Sequence, residues 1–382
     1  MAKAKCGPYN LQFNSVDRMV EYGVESESAG DEVMFFTDQM EGYFAQEDVE
    51  AAVGSSNPQN ADRRMGMCDP SPIIPLVAEK TKDIELFLGA IDTRRHVPSK
   101  LAQTFMTLDN ATRGRAFFAL GAGELKQLAN YGMTRKDVSK RLMDSMIIIR
   151  KMLDAPGEKV FYEGEYYSNK GGLLPTRPYG AKPPKFIATP GLYPIEFLGQ
   201  YADGMLVSLK RYAGGAKQYA EDVQKIRNAA EKAGRDPAEL RFAGAVLTFM
   251  HDDPHELDRL AARRQSRFSA MMIGADRGVQ WRDFGFIHPL GDEWGYARNA
   301  APGKLNAEQL SKAIDEVPPE AVKKVGFFTG SVEKVADMLT PFVEAGLNYC
   351  GVVNYAGWAE PELWAEGEEN RRKLGRILQG GV

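Results

Sequence analysis

Short apolar runs alternate with amphipathic helical stretches along the whole chain, and this alternation constrains the fold more than any other feature. Strands covered on both faces are apolar at successive positions, and strands separated by helical patterns pair in parallel. The runs fall at 5–13, 32–38, 84–92, 116–122, 185–189, 204–209, 240–250 and 348–354, with Phe117-Phe118-Ala119-Leu120 typical of them. Helical periodicity fills 16–29, 72–81, 99–112, 135–154, 193–202, 216–233, 255–272, 331–345 and 361–378. Asp236-Pro237-Ala238-Glu239 and Asp253-Pro254-His255-Glu256 each offer a capping Asp, a Pro at the first helical position and a returning Glu. Asn306 to Gln309 repeats the box without the proline. Eight strands alternating with helices over 382 residues predict an α/β fold, a closed (β/α)8 TIM barrel, rather than an open doubly wound sheet. No Gly-x-Gly-x-x-Gly follows the first strand, which counts against a dinucleotide-binding sheet.

Three segments fit no βα repeat and read as insertions after strands 2, 4 and 7 of one domain spanning 1–382. Residues 40–71 are polar with Gly and Met, and 277–304 are rich in Trp, Gly and Pro. Residues 159–174 alternate around Glu163-Gly164 and predict a hairpin. Long irregular segments in a compact domain are usually lids or binding loops.

An apolar content of 43% with 26% charged residues allows a large core, and a net charge of −4 gives no basic face for nucleic acid. No run of Lys and Arg suggests a membrane surface, and no apolar run reaches the length of a membrane span. Cys6, Cys68 and Cys350 match neither a zinc spacing nor a disulfide framework, so the expected location is the reducing cytoplasm. The grouping of His251, His255 and Glu256 looks metal-like on paper, but capping accounts for its neighbours, and no metal is expected.

In a barrel, chemistry belongs to the C-terminal ends of the strands. Those ends carry Thr37-Asp38-Gln39, Gly89-Ala90-Ile91-Asp92, Gly121-Ala122-Gly123-Glu124, Ala188-Thr189-Pro190-Gly191 and Ser208-Leu209-Lys210-Arg211. Each has an ordinary explanation: Asp38 can cap a turn, and Gly121 and Gly123 can serve positive φ. The argument rests on all five falling on one rim, where they suit a polar, partly anionic, planar ligand.

Several of these residues carry a family resemblance. Asp38 with the trailing Tyr43 resembles a Ser-Asp-His element followed by Trp. Thr112-Arg113-Gly114-Arg115, the apolar strand and Gly121-Ala122-Gly123-Glu124 resemble the strongest motif of the bacterial-luciferase-like superfamily. Pro184 to Ala188, Gly191, the Ala202-Asp203-Gly204 entry to strand 6, Thr329 to Glu333 and Ala345 to Asn348 extend the likeness over nearly the whole chain. Within the superfamily the pattern is most similar to the branch using coenzyme F420, an 8-hydroxy-5-deazaflavin. Ile287-His288-Pro289-Leu290-Gly291 looks most like the ketoreductases of that branch.

The resemblance implies hydride transfer between F420 and an alcohol, ketone or activated alkene. An FMN-dependent monooxygenase is the alternative within the superfamily, and a barrel that binds cofactor or lipid without turnover is the alternative outside enzymology. It implies that Glu124 handles the proton on the ring nitrogen and that Asp38 orients ring or substrate. A bulged cis peptide within Gly89 to Asp92 would place Ala90, Ile91 and Asp92 behind the ring, with Gly121, Ala122, Gly123 and Gln127 beside it. Ala188, Thr189, Pro190, Gly191, Leu192 and Ser208 would receive the tail phosphate, and Lys210 and Arg211 the acidic tail. One departure matters: relatives carry His after the strand-2 Asp, and this chain has Gln39, which cannot take a proton. His288 is the expected replacement. Tyr43, Met65, Trp281 and Trp294 are the expected substrate pocket, for a bulky or apolar small molecule, and the family pattern implies a homodimer.

Overall fold

The computed structural model describes residues 2–10, 15–40, 44–54 and 67–381. Its strands, in chain order, are β1 (Lys5–Asn10), β2 (Val33–Phe36), β3 (Glu85–Asp92), β4 (Ala116–Gly121), β5 (Val160–Glu163), β6 (Ser168–Gly172), β7 (Phe186–Ala188), β8 (Gly204–Ser208), β9 (Arg241–Met250), β10 (Phe328–Gly330) and β11 (Tyr349–Asn354). Strands β1, β2, β3, β4, β7, β8, β9 and β11 pair in parallel in that order, and β11 returns to β1 with Cys350 beside Cys6. The result is a closed eight-stranded parallel barrel surrounded by helices. Each apolar run of the sequence becomes one barrel strand, and residues 11–13 of the first run lie outside the described part.

Alternation within each strand sorts side chains between two cores. Val33, Phe35, Phe87, Phe117, Ile187 and Leu206 fill the barrel, while Phe36, Leu88, Phe118 and Phe186 face the helices. Phe35, Phe87, Phe117 and Tyr349 form a chain of ring contacts, each 4.7 Å between centroids. Below it, at the N-terminal ends of the strands, Glu85 accepts from Arg241 at 2.9 Å and from the Tyr349 hydroxyl at 3.1 Å, and it also meets Lys5. Apolar rings and this ion cluster close the bottom of the barrel, so its free space lies at the C-terminal rim.

The predicted hairpin is present as antiparallel β5 and β6. Asp144 holds it, accepting from the Tyr162 hydroxyl at 2.7 Å and from the Tyr166 amide at 2.8 Å. The capping box at Asn306 and Gln309 starts the helix Ala307–Asp315, and Asp253 caps Pro254–Ala262 as its sequence predicts. Asp236, by contrast, caps a single 3-10 turn, Pro237–Glu239.

One expected helix, 255–272, is two. Arg263 is extended (φ −66°, ψ 143°), and a second helix, Arg264–Ile273, leaves in a new direction. Ion pairs fix the break: Arg259 and Arg263 both meet Glu360. Arg264 donates to the Ala52 carbonyl at 2.7 Å, pinning the second helix beside Gln46–Val53. These helices, the segment 278–327 and the upper ends of β9 and β11 share a core of their own around Phe44, Phe249, Phe268, Trp281, Trp294 and Leu310. β10 extends the edge of β9 beyond the last residue paired with β8.

Candidate active site

The rim opens into a cavity of about 870 Å³, a size suited to a cofactor together with a small substrate. The loops after β2, β3, β4, β7 and β8 converge on it. Asp38, Gln39, Ala90, Asp92, Gly121, Ala122, Gly123, Glu124, Gln127, Thr189, Pro190, Gly191, Leu192 and Ser208 all line it. The peptide bond between Gly89 and Ala90 is cis, and the pairing of β3 with β4 shifts register between Leu88 and Ile91. Gly121 sits against this bend: a Cβ there would lie 3.0 Å from the Ala90 Cβ, so there is little room for a side chain. Gly123 has φ +89°, which turns the chain so that Glu124 enters the cavity wall.

Arg95 organises the acidic side. Its Nη2 donates to Asp38 Oδ2 at 2.9 Å, its Nε to Asp92 Oδ2, and its backbone amide to Asp92 Oδ1 at 2.7 Å. The His96 Nε2 lies 3.3 Å from Asp38 Oδ2, and this contact raises the imidazole pKa above its ordinary value. Asp38, Asp92 and His96 are close enough together for a metal ion, but the guanidinium already joins the two carboxylates.

A residue that sequence reasoning missed links the β2 and β4 loops. Lys126, whose side chain is 2% exposed, donates from Nζ to Gln39 Oε1 at 3.0 Å and lies 3.3 Å from Glu124 Oε2. That oxygen is buried and makes no hydrogen bond of good geometry among the described residues. Gln127 Oε1 accepts the Met40 amide at 2.8 Å, so both Gln39 and its neighbour are tied to the loop carrying Glu124. Burial, with Glu124 next in effect, raises the pKa values of Tyr9 and Tyr296, which keeps both phenols protonated beside the carboxylate.

Several expected residues stand elsewhere, each for a physical reason. His288 is in the wall of the second core, not on the cavity. Its Nε2–H donates to the Met271 carbonyl at 2.9 Å, and its Nδ1 accepts the Leu290 amide at 3.0 Å. Burial lowers its pKa to about 4, so the ring is neutral and has no nitrogen left for a substrate proton. Trp281 packs edge-on to His288 at 4.8 Å and Trp294 stacks on it at 6.0 Å, so both fill the insertion's own core. Ile91 and Ala188 face the helical shell through strand alternation. Lys210 donates to the Lys324 carbonyl at 2.9 Å, and burial lowers its pKa to about 8, whereas Arg211 does line the cavity. Tyr43 and Met65 lie outside the described residues.

The upper wall comes mostly from outside the strand ends. Phe268, Ser269 and Ile273 arrive through the break at Arg263, and Arg277, Tyr296 and Arg298 come from the last insertion. Val49 and Met67 complete it from the first insertion. The described parts of both insertions therefore line the rim cavity, as their positions predict.

Comparison with known proteins agrees with this architecture. The family model described as luciferase-like monooxygenase matches residues 2–349. A phthiodiolone/phenolphthiodiolone dimycocerosates ketoreductase of Mycobacterium kansasii is 27% identical over 280 residues, 72% of this chain and 73% of that protein. An F420-dependent glucose-6-phosphate dehydrogenase of Rhodococcus hoagii is 26% identical over 289 residues, with the same two coverages. Among solved structures, a coenzyme F420-dependent tetrahydromethanopterin reductase from Methanopyrus kandleri superposes with TM-score 0.70 at 17% identity, covering 98% of both chains. An F420-dependent secondary alcohol dehydrogenase in complex with an F420-acetone adduct gives 0.69 at 16%, again over 98% of both. The FMN-bound oxygenating constituent of 3,6-diketocamphane monooxygenase from Pseudomonas putida gives 0.59 at 19%, over 100% of this chain and 99% of that one. At these identities the superpositions speak for the fold.

Proposed function

The chain belongs to the luciferase-like monooxygenase family, and from that membership we propose that it is an oxidoreductase that binds coenzyme F420 at the barrel rim and acts on a ketone or alcohol. The observation that carries the reading is the placement of Glu124: a carboxylate oxygen, buried and without a good hydrogen bond, on the wall of a cavity whose adjoining β3–β4 wall is built from Gly89, Ala90, Gly121 and Ala122. A flat ring fits against such a wall; the ionised Glu124 oxygen can accept from a ring N–H, and the protonated acid can donate to a ring N⁻. A bound deazaflavin supplies hydride transfer at carbon with little reactivity toward oxygen.

The chain's own residues then divide the remaining work. Glu124 holds or releases the proton at its Oε2, with Lys126 as the nearby counter-charge. Asp38, clamped by Arg95, is an oriented acceptor. Gln39, its carboxamide oxygen occupied by Lys126, has its NH2 as the donor for a carbonyl oxygen. Ser208, Gly191 and Arg211 line the same cavity beyond β7 and β8 and suit a phosphate. Val49, Met67, Phe268 and Ile273 provide an apolar wall that excludes water from the reacting carbonyl. The ketoreductase and alcohol dehydrogenase among its relatives and neighbours favour the same substrate class.

Fluorescence-quenching titration of the purified protein tests the cofactor. The expected result is deazaflavin binding at least about tenfold tighter than FMN, about 1.4 kcal/mol. Equal or tighter FMN binding overturns the reading in favour of a flavin monooxygenase. Bound deazaflavin that no ketone or alcohol can oxidise or reduce argues for a binding protein without turnover.

A further inference from the structure

Among the described residues five arginines line the cavity, and they fall into two groups. Arg95 is neutralised by Asp38 and Asp92, Arg211 by Asp276 at 2.9 Å and Arg277 by Glu293 at 2.9 Å. Arg135 and Arg298 have no such partner: among the described residues no carboxylate oxygen makes an ion pair with either. Arg135 Nη1 instead donates to the carbonyl of Ala297, the residue before the exposed Arg298, so both arginines line one stretch of wall. Two like charges held together beside a cavity, one of them half-buried, repel each other unless an anion joins them. Burial acts most strongly and lowers the pKa of Arg135, the more distant Glu124 carboxylate raises it and the charge of Arg298 lowers it, although Arg remains protonated at any working pH.

The surroundings add donors of the same kind. The 17-residue helix Val138–Asp154 begins three residues after Arg135, and Val138 and Ser139 line the same cavity. Asp137, at its N-cap, makes no side-chain capping bond, and its first turn holds no acidic residue. The positive end of a long helix and two planar, fork-shaped donors suit the flat or tetrahedral oxygens of a carboxylate or phosphate.

We propose that Arg135 and Arg298 form an anion subsite in the cavity wall that takes a carboxylate or phosphate group of a bound ligand. The subsite deepens the oxidoreductase reading by adding a charged anchor to an otherwise apolar substrate wall. Two molecules can bring the anion: a substrate that is a ketone or alcohol bearing a carboxylate or phosphate, or the acidic tail of the cofactor.

Inorganic phosphate titrated into the ligand-free protein, followed by calorimetry, is the first test and requires neither cofactor nor activity. The expected result is saturable binding weakened roughly tenfold or more by Arg135→Met with Arg298→Met, and retained by Arg135→Lys with Arg298→Lys. Melting curves confirm that each pair of substitutions leaves the protein folded. The second test separates the sources. A keto acid and the neutral ketone of the same carbon skeleton are compared by KM, and F420 and its tail-less riboside by Kd. A substrate anion is indicated if the Met pair raises KM for the keto acid alone. A cofactor anion is indicated if the Met pair weakens F420 but not the riboside. Phosphate that fails to bind, or binds the Met pair as well as the parent, overturns the subsite. Phosphate binding that depends on the arginines in a protein that does not bind F420 leaves the subsite standing and overturns the cofactor reading alone.

Discussion

Lys126 Nζ lies 3.0 Å from the carboxamide oxygen of Gln39, at the position where relatives were expected to carry a histidine. A buried ammonium therefore fixes the orientation of the residue that cannot itself accept a proton. It does so while lying 3.3 Å from Glu124, so one side chain couples the β2 and β4 loops.

Replacing Lys126 with Met removes that coupling and lets the Gln39 amide rotate. A hydrogen bond to a charged group is worth about 1.5–3 kcal/mol, so kcat is expected to fall roughly tenfold to a hundredfold. Steady-state kinetics with a cofactor and substrate pair checks this, and an unchanged kcat shows that Gln39 needs no anchor.

Glu124→Gln keeps the shape of the wall and removes the titratable proton. Turnover is expected to fall by about 10²–10⁴-fold with little change in cofactor affinity or melting temperature. If the side chain only closes the glycine turn at Gly123, the melting temperature falls and turnover survives.

His288 predicts an acid-sensitive fold, not a catalytic one. Its folded pKa of about 4 lies below the ordinary 6.5, so the unfolded chain binds the proton more readily. The stability linked to it is complete above about pH 6.5 and lost as the pH falls toward 4, on the order of 3 kcal/mol in all. Urea unfolding at pH 7, 5 and 4 is expected to show this limb in the parent and a reduced limb in His288→Gln. Turnover of the folded variant at pH 7 is expected to stay within about twofold of the parent, because no substrate proton passes through the ring. A collapse of turnover with stability intact restores His288 as the proton carrier.

His96 predicts the opposite titration. Its contact with Asp38 raises its pKa, so the stability it contributes is present below the ordinary value and lost as the pH rises through the folded one. The chain has four histidines, and their ring proton resonances are separable by NMR. One is expected to titrate above the ordinary range and to return to it in Asp38→Asn. An unshifted His96 in the parent shows that the Asp38 contact does not persist in solution.

The sequence makes the barrel legible because buried parallel strands require continuous apolar runs, and Phe117 to Leu120 can be little else. The rim glycines and acids are legible because strand ends in a barrel share one side. The break at Arg263 is not, since helical periodicity runs through Ala261, Ala262 and Arg264, and only the distant Glu360 and Ala52 turn the chain. Trp281 and Trp294 are aromatic in an irregular segment, and composition alone cannot tell a pocket lining from the core of an insertion. Lys126, Arg135 and Arg298 look like ordinary surface charges until tertiary contacts between loops far apart in sequence bring them to the cavity.

The pairing of β1 with β11 also governs how the chain reaches this state. Lys5 pairs with Tyr349 and Cys6 with Cys350, so the first barrel strand emerges from the ribosome long before one of its two neighbours exists. Until the residues around 349–354 are synthesised, β1 presents an open parallel edge, and the rim loops have no closed cylinder to hold them in place. Closure is a late, non-local step, and a nascent chain stalled before it exposes a sheet edge that invites aggregation or capture by chaperones.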